Sequence, residues 1–211
     1  MDRKIIDLYD DFTHRHLDRR LFLERATRIV GSAGAAMALF SLLQSNYALA
    51  QMVPADDARL TAGRVAFPGS SGEVKGYVAR PKGDAKLPGV IVIHENRGLT
   101  PHIQDVARRA ALAGYVALAP DLMSAIGGTP SDEQQAITEF AKMNIDVAAA
   151  DAIKCVAFLK GRPDATGRIG AVGFCWGGGM VNRLATLAPD LNAGVAFYGV
   201  APPLEIGRAH V

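Results

Sequence analysis

The sequence has few cysteines and little net charge, which excludes several classes of protein. It has two cysteines in 211 residues, Cys155 and Cys175, which excludes a disulfide framework and a cysteine-rich metal site. The net charge is only +2, so no strong field favours binding to nucleic acid. Internal repeats and low-complexity tracts are absent. What remains is an ordinary globular composition, 49% hydrophobic and 21% charged, with enough chain for one α/β domain and an appendage.

Residues 1–50 have the order of a bacterial export signal. A polar stretch precedes Asp18-Arg19-Arg20-Leu21-Phe22-Leu23, and an apolar, Gly/Ala-rich segment then leads to Ala48-Leu49-Ala50. Adjacent arginines, a moderate apolar region and a small-x-small site are typical of exported proteins. The alternative is an amphipathic helix that belongs to the domain. A permanent membrane anchor is disfavoured, because the clean apolar run is shorter than the ~20 residues that a bilayer requires.

The Arg-Arg-x-Phe-Leu core resembles a twin-arginine signal, although Asp18 stands where that family usually has serine or threonine. The resemblance implies that Arg19 and Arg20 bind the twin-arginine export machinery. It also implies cleavage near Ala50 and a periplasmic mature protein. A protein on this route crosses the membrane already folded, so its thiol chemistry would not depend on periplasmic disulfide formation.

From residue 51 onward, strand and helix patterns alternate. A hairpin is predicted at the edge of a sheet, from Arg59–Phe67 and Glu73–Arg80. Buried strands are predicted at Pro88–His94, Tyr115–Ala119 and Arg168–Phe174, and a further strand at Ala193–Tyr198. Helices are predicted from Thr100-Pro101 to Ala113, from Ser131 to Lys160 with a break near Asn144, and from Met180 to Leu187. This order predicts an α/β fold with a doubly wound, mainly parallel sheet, whose site lies at the carboxyl ends of the strands.

One predicted strand-to-helix junction carries a candidate nucleophile. Cys175 lies within Gly173-Phe174-Cys175-Trp176-Gly177, and Gly-x-Cys-x-Gly matches the nucleophile elbow of α/β-hydrolases with cysteine in place of serine. The positive end of the following helix would favour the thiolate, which is the nucleophilic form. The backbone N–H of Trp176 and one near Glu95-Asn96 would then form the oxyanion hole. The alternative is that Cys175 is merely a small buried residue in a glycine-rich junction.

The sequence offers no clear candidates for the catalytic acid and histidine that would transfer protons in such a site. In hydrolases of this fold the catalytic acid and histidine follow the nucleophile in chain order. After Cys175 the candidates are Asp190, Glu205 and His210; Asp190 has the setting of a surface loop, and His210 has no strand to position it. His94 and His102 come before the nucleophile and are interpreted as structural or exposed residues. The triad Asp and His are therefore expected to be absent, and the chain as written nearly inactive.

Four pieces in order, from about Val65 to Pro203, resemble the dienelactone hydrolase family (carboxymethylenebutenolidases). They are Val92-Ile93-His94-Glu95-Asn96-Arg97-Gly98-Leu99, Ala119-Pro120-Asp121-Leu122, Gly173-Phe174-Cys175-Trp176-Gly177-Gly178 and Phe197-Tyr198-Gly199-Val200. The resemblance implies an α/β-hydrolase that cleaves an ester or lactone, with Cys175 as the nucleophile of a Cys-His-Asp triad. It implies that Glu95 contacts and helps to activate the thiol, and it implies no metal and no organic cofactor. The alternative for Glu95 is a solvated loop carboxylate, and Asp121 is interpreted as a turn-forming residue.

The chain departs from this family in two places. The family's Asp and His lie after the Tyr-Gly strand, so we expect the hydrolase domain, 51–204, to lack its C-terminal strands and final helix, and 205–211 to be a non-native tail. The arginine expected near Asp132-Glu133-Gln134-Gln135 to hold a substrate carboxylate is also missing, which disfavours dienelactone itself. The alternative function is a non-catalytic binding protein with a degenerate site. A redox role for Cys175 is disfavoured, because Cys155 falls in a predicted core helix.

Overall fold

Three helices form the first part of the chain, and a mixed sheet with flanking helices forms the second. The computed structural model describes residues 3–14, 17–43 and 51–201. Two compact units divide between Ala50 and Gln51. That residues 1–50 are an export signal stays a prediction. Glu205, His210 and the proposed tail 205–211 lie outside the described residues.

The first unit contains α1 (Arg3–His14), α2 (Arg19–Val30) and α3 (Ala33–Leu43). Its apolar cluster consists of Leu8, Phe22, Ala26, Ala36 and Phe40. Helix α2 begins at Arg19 because the Asp18 carboxylate accepts a hydrogen bond from the Leu21 N–H at 2.8 Å. Asp18 therefore supplies the N-cap acceptor that serine or threonine would supply. None of the helices in the described ranges is long and apolar enough to span a bilayer.

The second unit is built on a six-stranded sheet with the strand order β1-β2-β4-β3-β5-β6. The strands are β1 (Leu60–Pro68), β2 (Glu73–Pro81), β3 (Leu87–Ile93), β4 (Val116–Pro120), β5 (Ala165–Phe174) and β6 (Ala193–Phe197). Strand β2 is antiparallel to both β1 and β4, and the other neighbours are parallel. This confirms the mainly parallel sheet with a hairpin at one edge. Helices pack on both faces of the inner strands, as a doubly wound fold requires, whereas β6 at the other edge is exposed along its whole length.

The helices of the second unit are α4 (Pro101–Leu112), α5 (Glu133–Phe140), α6 (Ile145–Lys160) and α7 (Trp176–Leu187). Alternate residues of the buried strands point to opposite faces. Ile91 and Ile93 pack with α6 and α7, while Val92 packs with α4. Thr100 caps α4, as its position in the sequence predicts, and the break predicted near Asn144 is the start of α6, which Asn144 caps.

Element boundaries differ from the sequence prediction by one to four residues. Helix α7 begins at Trp176 rather than at Met180, and β5 begins at Ala165 rather than at Arg168. Strand β6 ends at Phe197, because Tyr198 takes a positive φ of 41°. Glycine has low helix propensity, so the run after Trp176 does not read as helix from sequence. In the structure this run is helical, and the backbone packed against Gly177 and Gly178 leaves no room for a Cβ at either position.

A buried ion pair fastens the start of the second unit to its sheet. The guanidinium of Arg108 donates from Nε to the Val53 carbonyl at 2.8 Å and from Nη1 to the Tyr77 hydroxyl at 3.2 Å. Asp105 accepts from the Val53 N–H at 2.9 Å, and its Oδ1 lies 3.6 Å from Arg108 Nη2. Both charged side chains are almost completely buried. We call Asp105 and Arg108 the buried clamp.

Candidate active site

Cys175 lies at the junction of β5 and α7 in a strained backbone conformation, with φ 55° and ψ −119°. Among the described residues, the non-glycine residues with positive φ are Cys175 and Tyr198. The Cys175 N–H donates to the Phe197 carbonyl at 3.0 Å, and its own carbonyl accepts from the Gly179 N–H at 3.2 Å. Such conformations persist only where the surroundings enforce them. The thiol is half-buried and is not in a disulfide.

The glycines around Cys175 are required by close backbone packing. A Cβ on Gly173 would overlap the carbonyl of Gly177. A Cβ on Gly177 would lie 2.5 Å from the carbonyl oxygens of Ile93 and His94, well inside van der Waals contact. The Gly-x-Cys-x-Gly pattern therefore lets helix α7 start directly against the ends of β3 and β5. This is the arrangement that the elbow motif predicts, and it also explains the early start of α7.

Glu95 and Tyr198 lie beside this elbow. Glu95 follows the carboxyl end of β3, Tyr198 follows the end of β6, and the tyrosine hydroxyl donates to Glu95 Oε1 at 3.4 Å. Partial burial of its hydroxyl, together with the negative charges of Glu95 and the Cys175 thiolate, raises the pKa of Tyr198 above its ordinary value, although most of the residue is exposed. The structure thus brings the side chains of Cys175, Glu95 and Tyr198 together from the ends of the parallel strands β5, β3 and β6. The resemblance in the sequence implies roles for Cys175 and Glu95, whereas Tyr198 belongs to one of the resembling pieces but has no role assigned there.

His94 is a structural residue, as the sequence interpretation holds. Its ring is completely buried, with Nδ1 2.6 Å from the Glu95 carbonyl oxygen and Nε2 accepting from the Leu122 N–H at 3.1 Å. These contacts use both ring nitrogens and fit the neutral tautomer protonated at Nδ1. Burial lowers the pKa of His94 and opposes its protonation. The ring is therefore unable to serve as a general base.

Trp176 contributes a side chain to the site as well as a backbone N–H. Its ring stacks on His94 with 5.5 Å between centroids and meets the edge of Phe140 at 5.0 Å. Because Trp176 is the first residue of α7, its N–H belongs to the first turn, whose N–H groups have no partner within the helix. Asn96 follows Glu95 in the loop after β3 and is half-buried. The oxyanion-hole roles of these two backbone groups stay a prediction.

Asp121 forms a turn, as predicted, and does more than cap it. Its carboxylate accepts from the Met123 N–H at 3.1 Å and from the Thr129 N–H and hydroxyl, each at 2.8 Å. The Thr129 hydroxyl in turn accepts from the Leu99 N–H at 2.8 Å. Asp121 and Thr129 therefore join the loop after β4 to the loop that carries Glu95. No sequence pattern marked Thr129.

The remaining residues that the sequence analysis considered have contacts of their own and are not part of the group around Cys175. Asp190 is exposed and pairs with Lys160 at 2.6 Å, which confirms its surface setting. Near the start of α5, where the family arginine was sought, Glu133 pairs with Arg97 at 2.7 Å. Among the described residues, no group of three or more His, Cys, Asp or Glu side chains could hold a metal ion.

Comparison with known proteins gives consistent matches. The sequence profile of the dienelactone hydrolase family matches residues 74–210. A protein of Methylorubrum extorquens, provisionally named a carboxymethylenebutenolidase, is 36% identical over 189 residues, which cover 88% of this chain and 64% of the relative. A provisionally named hydrolase fragment of Escherichia coli K12 is 50% identical over 103 residues, 47% of this chain and 88% of that protein.

The solved structures agree in fold. A provisionally named dienelactone hydrolase from Klebsiella pneumoniae matches with a TM-score of 0.61 at 32% identity, over 68% of this chain and 62% of that one. The chain thus spans less than two thirds of the length of this structure and of the Methylorubrum relative.

Proposed function

The chain belongs to the dienelactone hydrolase family, and from that premise we propose that it attacks esters or lactones with Cys175 as nucleophile. The observation that carries this proposal is the position of Cys175. Its thiol is presented by a strained turn at the carboxyl end of β5, at the N-terminus of α7 and beside Glu95 and Tyr198. Parallel sheets of this kind place their sites at the carboxyl ends of the strands.

The chemistry that follows is acyl transfer to sulfur. The Cys175 thiolate attacks the carbonyl carbon, and the electron pair of the C=O bond moves to oxygen, where the Trp176 and Asn96 N–H groups would stabilise it. Collapse of this intermediate breaks the C–O bond and expels the alcohol oxygen with its electron pair. The result is a thioester on Cys175. A leaving group that is stable as an anion, such as p-nitrophenolate, needs no proton donor for this step.

Hydrolysis of the thioester requires a base that activates water. Among the described residues, the histidine at the site is His94, and both of its ring nitrogens are already engaged. We expect a short mixing time to sample the acyl-enzyme before water removes the acyl group.

Mass spectrometry of the full chain tests this expectation. After brief mixing with p-nitrophenyl acetate, we expect one acetyl group per chain, located on the peptide that contains Cys175. A small lactone should add its whole mass, because ring opening leaves the alcohol attached. Equilibrium binding of an intact ester with no covalent adduct would contradict the proposal and would support the alternative, a binding protein with a degenerate site.

We also propose that residues 1–50 are a twin-arginine export signal and that the mature protein is periplasmic. The supporting observation is that Asp18 caps α2, so that Arg19 and Arg20 form its exposed first turn. Substituting both arginines by lysine keeps their charge and should retain the protein in the cytoplasm, as measured by cell fractionation. The matched control, Arg25→Lys with Arg28→Lys in the same helix, should leave export unchanged. Normal export of the Arg19/Arg20 variant would exclude this route.

A further inference from the structure

Tyr198 is held against the elbow by the backbone on both sides of it. Before it, the Phe197 carbonyl accepts the N–H of Cys175 at 3.0 Å. After it, Gly199 packs so closely on the first turn of α7 that a Cβ there would overlap the carbonyl carbon of Gly178 and the nitrogen of Gly179. Tyr198 itself takes φ 41°, a region that side chains other than those of Asn and Asp seldom adopt. The position of this tyrosine relative to Cys175 is therefore fixed by the main chain.

Packing of the tyrosine ring does not explain this strained conformation. The Tyr198 residue is 73% exposed, so its ring gains little from burial. Its specific polar contact is the hydrogen bond from the hydroxyl to Glu95 Oε1 at 3.4 Å. A strained backbone that directs an exposed hydroxyl onto a carboxylate beside a nucleophile indicates a role in the site.

We propose that Tyr198 is a positioning residue, whose hydroxyl holds the Glu95 carboxylate beside Cys175 and so sets the pH range in which the thiol reacts. The proposal rests on Cys175 being the nucleophile. In this proposal Tyr198 sets the orientation of Glu95. The triad acid and histidine that would be needed to hydrolyse the acyl-enzyme have no part in it.

The titratable groups around the thiol come from three elements. Glu95 belongs to the loop after β3 and Tyr198 to the segment after β6, and the charges of Glu95 and Cys175 both help to raise the pKa of Tyr198. His94, beneath the Trp176 ring, is buried and neutral. Arg97, in the same loop as Glu95, forms an ion pair with Glu133. The Glu95 carboxylate is therefore the anionic group whose orientation matters most to the thiolate.

The signs of the expected effects follow from electrostatics. A carboxylate near the sulfur opposes the thiolate, and one that can turn to the S–H accepts its hydrogen bond and retains the proton on sulfur. This expected effect on the free thiol is opposite to the activating role that the sequence resemblance implies for Glu95. Removing the Tyr198 hydroxyl frees Glu95 to turn in this way, so the thiol should need a higher pH to react. Replacing Glu95 by glutamine removes the negative charge, so the thiol should react at a lower pH.

The experiment is the pH dependence of iodoacetamide alkylation at Cys175, read peptide by peptide in the full chain. Tyr198→Phe should raise the pH midpoint by about 0.5–1 unit, and Glu95→Gln should lower it by about 1 unit. In the Glu95→Gln background, adding Tyr198→Phe should move the midpoint by less than about 0.2 unit, because the effect passes through the carboxylate. Tyr115→Phe, the same change before β4, serves as the matched control and should not shift the midpoint.

Three results would overturn the proposal. An unchanged midpoint in Tyr198→Phe would show that the hydroxyl does not govern the thiol. If Tyr198→Phe shifted the pH midpoint equally with Glu95 present and with Glu95→Gln, the tyrosine would act through the surrounding structure and not through the Glu95 carboxylate. Failure of Cys175 to react at any pH in the unmodified chain would contradict its role as nucleophile, and the inference would then fail together with the proposed function.

Discussion

Replacing Cys175 with alanine should abolish the rapid release of p-nitrophenol that accompanies acylation, with a loss of at least about a thousandfold. The reason is that sulfur forms the covalent bond, and the backbone donors that remain cannot attack the ester themselves. The measurement is the amplitude of p-nitrophenol absorbance within the first turnover, normalised to protein concentration.

Two further variants refine this experiment. Cys175→Ser should be almost as inactive as alanine, because a hydroxyl requires a base for each attack, whereas a thiol is already partly ionised near neutral pH. Cys155→Ala is the matched control and should keep the full amplitude. Cys155 is completely buried, and burial together with the nearby Asp151 charge raises its pKa, so that it stays an unreactive thiol. A Cys175→Ala variant with the wild-type amplitude would show that the adduct forms elsewhere.

Replacing Arg108 with leucine should lower the free energy of unfolding by about 3–5 kcal/mol, because it leaves the Asp105 charge buried without its partner. The same change removes the hydrogen bonds to the Val53 carbonyl and the Tyr77 hydroxyl. The segment at the start of the second unit would lose its attachment to α4 and β2. Urea unfolding followed by circular dichroism measures the effect as a lower midpoint.

A surface ion pair provides the comparison for the buried clamp. Lys160 and Asp190 lie 2.6 Å apart with both side chains about half exposed or more, so Lys160→Met should cost no more than about 1 kcal/mol. Adding Asp105→Asn to Arg108→Leu should recover part of the stability, because no charge is then left buried without a partner. Equal unfolding midpoints for Arg108→Leu and Lys160→Met would refute the argument from burial.

The sequence predicts most of this fold because many of its signals are local. Thr100 caps α4 through contacts with the next few residues, as expected, and the break expected near Asn144 is a cap of the same local kind. The run of apolar residues in β3 likewise needs no distant partner to be identified as a buried strand. The elbow is also predictable, since its glycines lie within a few residues of Cys175 in the sequence.

What the sequence misses depends on residues that are far apart in the chain. The contact between Glu95 and Tyr198 joins positions 103 residues apart, and it depends on the register of β6 beside β5. Thr129 links two loops whose proximity follows only from the strand order. The buried clamp has helical i,i+3 spacing, which also describes an exposed pair, so the pattern does not reveal its burial.

The stacking of Trp176 on His94 gives the protein an intrinsic optical signal at its candidate active site. Trp176 is the sole tryptophan in the chain, and it immediately follows Cys175. Its ring contacts His94 on one side and Phe140 of α5 on another. Fluorescence excited at the red edge of protein absorption therefore comes from a single residue, so acylation of the neighbouring thiol or displacement of α5 can be followed in real time without a label.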